Sequence, residues 1–360
     1  MIRVLVVEDS EVVRNLLCHI LNSDPEIQVV AVASDGEEAL EAVERSKPDV
    51  ITMDVRLPKM DGFEATRRIM KSRPTPIVIV SGIPDITEKV MAMRAMEAGA
   101  LAIVPKTAGV GHPDFERAAA DLVRTVKLMS EVKVVRRWGR PRRHEATSLS
   151  FGAQLTMTAD IAIVAIGAST GGPPALQSIV SGLPSNFSTP ILVVQHLTPG
   201  FVDGFADWLG QYTTLPVHVA THAENILPGH IYVAPDGHHM QSGPEKRIML
   251  GKQPAENGLR PSVASLFRSV AAIYGENAVG ILLSGMGNDG SSELKLMKDQ
   301  GAVTIAQDRE TSTVHGMPGE AIRLGGVNYV LRPQEIALAL VSMTKKSSDE
   351  RKAQRMDAAL

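Results

Sequence analysis

The order of its apolar runs constrains this chain more than any other feature. Through the first 126 residues, strand-like and helix-like segments alternate five times. "IRVLVV", "QVVAVA", "DVITMDV", "PIVIVS" and "ALAIV" are short, nearly continuous apolar runs. Between and after them come "VRNLLCHIL", "GEEALEAVERS", "GFEATRRIMK", "TEKVMAMRAMEAG" and "DFERAAADLVRTVKLM", whose apolar residues recur at helical spacing. Strands joined through helices run parallel, and strands apolar on both sides must be covered on both faces. The alternation therefore predicts a parallel sheet sandwiched between helices.

The pattern stops near residue 129. "VVRRWGRPRRHEATSLS" mixes Arg, Gly, Pro and Ser without periodicity, which predicts a flexible basic linker over 127–157. From Ile161 the alternation returns. Strands are expected at "IAIVAIG", "PILVVQH", "IYVAP", "AVGILLSG" and "AVTIAQ". Helices are expected at "PALQSIVSGL", "FVDGFADWLG", "SVASLFRSVAAIYG", "SSELKLMKDQ" and "PQEIALALVSMTKK". The insert from about 215 to 250 reads as short antiparallel strands. The division is a first domain over 1–126, the linker, a second domain over 158–345 and a polar tail over 346–360.

Composition narrows the function classes. Aromatic residues make up only 4% of 360, so aliphatic side chains and methionine must fill both cores. The single cysteine, Cys18, permits no internal disulfide and reads as a small core residue. No run approaches the roughly 18 apolar residues of a membrane span, and no signal peptide is evident, so the expected setting is cytoplasmic and not membrane-inserted. The net charge of −3 conceals a basic middle segment, but no basic folded face with a reading helix is evident, so nucleic acid is not an expected partner.

Chemistry in open parallel sheets sits beyond the carboxyl ends of the strands. In the first domain those ends carry Glu8 and Asp9, then Asp54, Ser81 and Lys106. Three carboxylates converging there repel one another unless a cation intervenes, and hard oxygen ligands suit Mg²⁺. A lysine and a hydroxyl nearby can hold an arriving anion. The set suits phosphoryl transfer to an aspartate. "VEDS", "TMDVRLPKMDG", "IVSG" and "PK" resemble the receiver domain of two-component response regulators. The resemblance implies that Asp54 accepts a phosphoryl group from a histidine kinase. It makes Glu8, Asp9 and Asp54 the Mg²⁺ ligands, and Ser81 and Lys106 the switch residues. Pro105 precedes the lysine where receivers usually have proline after it, and Ile103 stands where they often carry an aromatic residue.

In the second domain, "GASTGG" (167–172) closes the first strand. A dinucleotide site would need glycine where Ser169 stands and an acidic residue at the end of the next strand, which instead ends in His196. A P-loop would need Gly-Lys-Ser/Thr. Gly-x-Ser-x-Gly is the alternative, a tight turn exposing Ser169 as a nucleophile, with Pro173 opening a helix. A plain helix N-cap serine competes with it. His196 ends the adjacent expected strand and can serve as base. Asp289, in "SGMGNDG", can orient the imidazole, so three strand ends present Ser, His and Asp to one crevice. Their order differs from the Ser–Asp–His order of α/β-hydrolases. His238 and His239 make zinc conceivable, but they lack ligand-spaced partners. His218, His222, His230 and His315 read as surface or structural residues.

"IGASTGGPPAL", "VVQHLTPGF", "LPGHIYVAPDGHHM", "RPSVASLF", "GILLSGMGNDG", "TIAQD" and "HGMPGEAI" resemble the catalytic domain of the chemotaxis receptor methylesterases. The implied fold class is α/β, two doubly wound parallel-sheet domains, a flavodoxin-like receiver and a Rossmann-like esterase. The implied activity is hydrolysis of glutamate γ-methyl esters on methyl-accepting chemoreceptors, with deamidation of receptor glutamines beside it. Ser169 would attack, His196 act as base and then acid, and Asp289 orient the ring. The Met286 N–H would help form the oxyanion hole, Thr170 line the site and Arg260 touch substrate. The esterase step implies no cofactor. The receiver is expected to restrain the catalytic crevice until it is phosphorylated. The alternatives are a response regulator whose output domain binds DNA, against which the α/β pattern and acidic balance after 160 argue, and a non-catalytic scaffold.

Overall fold

The computed structural model describes residues 1–82, 86–107, 109, 111–132, 134 and 161–344. Most of the stretch expected as linker, and the tail beyond 345, lie outside them. The chain divides into two compact units, Met1–Arg140 and Pro141–Leu360.

The first unit follows the expected alternation: β1 (Ile2–Val7), α1 (Glu11–Asn22), β2 (Ile27–Ala33), α2 (Gly36–Ser46), β3 (Val50–Asp54), α3 (Gly62–Ser72), β4 (Ile77–Ser81), α4 (Ile86–Ala98), β5 (Ala102–Pro105) and α5 (Phe115–Ser130). The strands pair in parallel in the order β2-β1-β3-β4-β5. Every residue of β3 and β4 is buried, as unalternating apolar runs require. Acidic side chains start two helices: Asp35 accepts from the N–H groups of Glu37 and Glu38, and Asp61 from that of Glu64. Helix α5 reaches Ser130, into the stretch assigned to the linker. The strand order reverses between β1 and β3, so their carboxyl ends open a crevice there.

The second unit comprises β6 (Ile163–Ala168), α6 (Gly172–Ser181), β7 (Ile191–Gln195), α7 (Val202–Gly210), β8 (Val217–Val219), β9 (Ile231–Val233), β10 (His239–Gly243), β11 (Arg247–Gly251), α8 (Val263–Tyr274), β12 (Ala278–Leu282), α9 (Ser291–Asp299), β13 (Val303–Gln307), α10 (Met317–Arg323) and β14 (Tyr329–Leu331). A last helix, α11, covers 333–344. Seven strands form one parallel sheet in the order β14-β13-β12-β6-β7-β9-β8, reversing between β6 and β12.

The insert at 215–250 departs from the sequence expectation. Strands β10 and β11 pair antiparallel and Asn225 forms an antiparallel bridge to Arg247, as expected, while β8 and β9 instead extend the main sheet in parallel. Strand β14 and helix α10 have no counterpart in the sequence reading. "VHV" and "YVL" are too short to carry a period, and only pairing with a formed neighbour makes them strands.

Helix α8 lies on β6 and β12 and carries Val263, Leu266, Phe267 and Val270 into a core shared with Leu192, Val194, Met240 and Ile248. Gly167 allows this approach, because a Cβ there would lie 2.3 Å from Val263 Cγ1. Gly167→Ala is therefore expected to lower the stability of the second unit by about 1–3 kcal/mol. Urea unfolding of that unit measures the loss.

Candidate active site

Ser169 is the first residue past β6. Its N–H donates to the Ser284 carbonyl at 3.0 Å, and its own carbonyl accepts from the Gly172 N–H at 2.8 Å. The residue capping α6 is Gly171, in the left-handed region at φ 78°, and no side chain caps that helix. The N-cap reading of Ser169 is therefore not the geometry found. A Cβ on Gly171 would lie 2.4 Å from the Thr313 side chain, and one on Gly285 would lie 2.7 Å from Ser169 Cβ. Glycine at these two places lets three loops converge around one half-buried hydroxyl.

His196 is the first residue past β7, and its N–H donates to the Ala168 carbonyl at 2.9 Å. Ser169 and His196 thus extend paired neighbouring strands, which run about 4.8 Å apart. The imidazole Nε2 lies 2.9 Å from Asp289 Oδ2. Asp289 is buried and also accepts from Ser262 Oγ at 2.9 Å, the Val263 N–H at 2.7 Å and the Ala264 N–H at 3.1 Å. The last two are free N–H groups at the start of α8, where the helix dipole favours an anion. Burial alone would raise this carboxyl's pKa, but the hydrogen bond and charge of His196, with those two N–H groups, bring it below the usual value.

Since Nε2 faces the carboxylate, Nδ1 is the ring atom left to meet the serine. Among the described residues no hydrogen bond joins the Ser169 hydroxyl to the ring. The expectation that all three side chains bond directly is thus met for His196 and Asp289 and not for Ser169 in this resting arrangement. Hydrogen bonds to a catalytic hydroxyl are commonly long without substrate, and the two residues directly follow paired neighbouring strands.

The turn after β12 approaches Ser169 at Gly285, and Met286 follows it in the chain. The Met286 N–H has no backbone partner among the described residues. The turn is braced from below. Ser284 N–H donates to Gln307 Oε1 at 2.8 Å, and Ser284 Oγ donates to the Thr170 carbonyl at 2.8 Å while accepting from the Val314 N–H at 3.0 Å. Thr170 thus joins the site through its backbone. Sequence reasoning missed Gln195, Ser262, Ser284 and Gln307. For Gln195 and Gln307 the available signal was a polar residue closing a fully buried strand, as in "ILVVQ" and "VTIAQ".

Arg260 is exposed, and its Nη1 donates to the carbonyls of Lys252 and Gln253 at 3.3 and 3.1 Å. His238 Nδ1 lies 3.0 Å from the Asp236 carbonyl, and His239 Nε2 lies 3.1 Å from that of Pro254. His222 accepts from the Leu250 N–H, His218 pairs with Glu224, His230 stacks on Tyr232, and His315 lies 3.3 Å from Ser312 Oγ. Among the described residues the one group spaced to hold a metal is Glu8, Asp9 and Asp54.

That group occupies the crevice of the first unit. One oxygen from each of the three carboxylates lies within 4.8 Å of the others. Lys106 Nζ lies 2.8 Å from Asp54 Oδ2 and 3.1 Å from Glu8 Oε1. Burial raises the pKa of both carboxyls, each opposed by Lys106, and the Asp54 charge raises that of Glu8 further. Lys106 is pulled up by the same two partners against its own burial. Glu8 Oε2 is buried and lies 3.0 Å from Lys106 Nζ, yet among the described residues no donor reaches it with hydrogen-bonding geometry. An all-oxygen donor set with one orphaned buried oxygen fits a hard divalent cation. Ser81 is fully buried at the end of β4, and its carbonyl accepts from the Lys106 N–H at 2.8 Å.

Comparison with known proteins agrees with both units. The CheB methylesterase family matches residues 164–340, and the response regulator receiver domain matches residues 4–112. A protein-glutamate methylesterase/protein-glutamine glutaminase of Nitrosospira multiformis is 54% identical over 350 residues, covering 97% of this chain and 99% of that protein. One from Syntrophus aciditrophicus is 57% identical over 345 residues, covering 95% and 98%. The crystal structure of the Thermotoga maritima CheB methylesterase catalytic domain is 36% identical, covers 52% of this chain and all of that one, and superposes with a TM-score of 0.49.

Asp289 also ties the site to stability. Its pKa is lower folded than unfolded, so it stabilises the fold above the usual carboxylate range of about 4 and loses that contribution as pH falls through its lowered value. The difference in urea midpoint between the native chain and Asp289→Asn is expected to be larger at pH 7 than near pH 3.

Proposed function

This chain belongs to the CheB methylesterase family and carries a response regulator receiver domain; from that premise we propose that it is a phosphorylation-activated serine esterase acting on chemoreceptors. Its substrates are glutamate γ-methyl esters on methyl-accepting receptors, and glutamine side chains at such sites are deamidated by the same route. The observation that carries the reading is the Nε2–Asp289 hydrogen bond at 2.9 Å. It leaves the other ring nitrogen of His196 as a base beside a hydroxyl at the neighbouring strand end.

In the proposed reaction, Ser169 Oγ attacks the ester carbonyl carbon while His196 Nδ1 takes the hydroxyl proton. Asp289 stabilises the imidazolium. The Met286 N–H donates to the oxyanion, an interaction worth about 3–4 kcal/mol where such donors have been removed. The intermediate collapses, the C–O bond to the methoxy group breaks, and His196 returns its proton so that methanol leaves. Water then attacks the acyl-serine with the same imidazole as base, releasing the glutamate carboxylic acid and restoring Ser169. For glutamine the leaving group is ammonia. The apparatus needs no cofactor.

Regulation is assigned to the first unit. We place the phosphoryl group on Asp54, delivered by a chemotaxis histidine kinase. Lys106, already 2.8 Å from that carboxylate, would turn to the phosphoryl oxygens, and Ser81 would follow as the second switch residue. Mg²⁺ held by Glu8, Asp9 and Asp54 supplies positive charge against the phosphoryl oxygens when bound. The assigned domains are 1–126 for the receiver, 127–157 for the linker and 158–345 for the esterase, with a tail over 346–360. The proposed location is the cytoplasm. No helix among the described residues is long and apolar enough to cross a membrane.

Methanol release from methylated receptor membranes tests the reading. Ser169→Ala is expected to lose at least about a thousandfold in kcat; wild-type release by that variant would end the assignment. Asp54→Asn is expected to keep the basal rate and lose all response to a small phosphodonor with Mg²⁺. A chain starting near residue 150 is expected to outpace the unphosphorylated full-length protein. Equal rates would show that the receiver does not restrain the esterase.

A further inference from the structure

Strand β7 is apolar until its last residue, Gln195, which is only 4% exposed. Its side chain lies beneath the two loops that carry Ser169 and His196. Gln195 Nε2 donates to the Ser169 carbonyl at 2.9 Å and to the His196 carbonyl at 2.9 Å. Both amide hydrogens are thus spent on the backbone of the two residues assigned to the chemistry. Two such bonds leaving one trigonal nitrogen hold their acceptors about 5 Å apart. The Ser169 carbonyl has a second donor in Gly172, whereas that of His196 has none other among the described residues.

The same side chain bears an evident cost. Gln195 Oε1 is buried without a hydrogen-bond partner among the described residues. A leucine or valine, as elsewhere in β7, would avoid an orphaned buried acceptor. Room is also made for it. A Cβ on Gly172 would lie 2.2 Å from Oε1, so the second glycine of "TGG" is what admits the amide. A costly polar group and a glycine that accommodates it meet directly under the turn assigned to catalysis.

We propose that Gln195 is a positioning residue for ester hydrolysis, its amide setting the spacing between the Ser169 and His196 backbones so that hydroxyl and imidazole close correctly on substrate. The proposal rests on the assignment of those two residues as nucleophile and base. It differs from a packing role, which any buried side chain of similar volume would fill. Gln195 touches no reacting atom and acts through the two residues it bridges.

The test is methanol release by the full-length protein from methylated receptor membranes, with kcat and KM measured across pH for Gln195→Leu and Gln195→Glu beside the native chain and Ser169→Ala. Gln195→Leu keeps volume and removes both donors. Its kcat is expected to fall roughly 10- to 100-fold, with KM within about twofold of native on the view that positioning acts on the reacting groups alone. In Gln195→Glu, burial raises the carboxyl pKa, so the group stays protonated toward neutrality and donates one O–H to one carbonyl. Its kcat relative to native is expected to be intermediate there and to fall as pH rises through that ionisation. The ratio for Gln195→Leu is expected to stay flat with pH. A Gln195→Leu kcat within threefold of native overturns the proposal, and so does a Gln195→Glu ratio as flat and as low as that of leucine. Should the leucine variant fail to fold, the pH course of the glutamate variant decides alone. Ser169→Ala separates the two levels: its retention of activity removes the underlying assignment, whereas its inactivity beside a fully active Gln195→Leu removes only the role of Gln195.

Discussion

A buried carboxylate fixes the geometry of the second unit. Asp289 is 4% exposed, and taking an ionised carboxyl out of water is prohibitive unless donors surround it. Four do: Ser262 Oγ, two N–H groups at the start of α8, and His196 Nε2. Those donors come from separate stretches of chain, so satisfying one charge locks α8, the loop after β12 and the loop after β7 into a single arrangement. The imidazole is held by the same requirement. Its orientation is a by-product of satisfying Asp289, which makes the His196 ring a fixed element in a loop.

The first unit solves the same topological problem with the opposite electrostatics. Both crevices lie where the strand order reverses, between β1 and β3 in one sheet and between β6 and β12 in the other. In the first, several carboxylates share one lysine, and both buried carboxyls, Glu8 and Asp54, have raised pKa values. That pocket is short of positive charge and is stabilised by whatever cation arrives. In the second, one carboxylate is oversupplied with donors and its pKa is lowered. Its donors are all supplied by the chain itself. One fold class thus yields a crevice crowded with carboxylates and a crevice in which a single carboxylate is surrounded by donors.

The alternation of apolar runs was enough to place both sheets, because continuous apolar strands between amphipathic segments have few other solutions. It also pointed to Glu8, Asp54, Lys106, Ser169, His196 and Asp289, because polar residues at or beyond the ends of buried strands have no packing reason to be there; the structure sets Glu8, Asp54 and Lys106 together in one crevice and His196 against Asp289 in the other. Short edge strands were only partly legible: a strand was expected near "VHV" but antiparallel, and none at "YVL". "VHV" and "YVL" have no pattern of their own and exist by pairing with β9 and β13. The bracing residues escaped for a different reason. Gln195, Ser284 and Gln307 serve backbone groups, and nothing in a linear sequence indicates which carbonyl or N–H will need a partner. The loop contacts of Arg260 escaped for the same cause: its Nη1 satisfies the carbonyls of Lys252 and Gln253, a demand created only by the folded loop.

The chain order Ser, His, Asp follows from this topology. Strands β6 and β7 are sequential neighbours, so Ser169 and His196 arrive from consecutive strand ends. The chain then builds the far side of the sheet, β8 and β9, and the β10–β11 hairpin before returning through α8 to β12, on the other flank of β6. Because Gly167 lets Val263 sit on β6, the start of α8 lies over the crevice itself. The carboxylate that follows β12 can therefore bind that helix terminus and the imidazole at once. In a chain where the acidic residue preceded the histidine, the carboxylate would come from a strand laid down before the base, and this helix could not supply its donors in the same way. The long separation between positions 196 and 289 is thus the length of chain needed to build one flank of the sheet and bring α8 back across its centre.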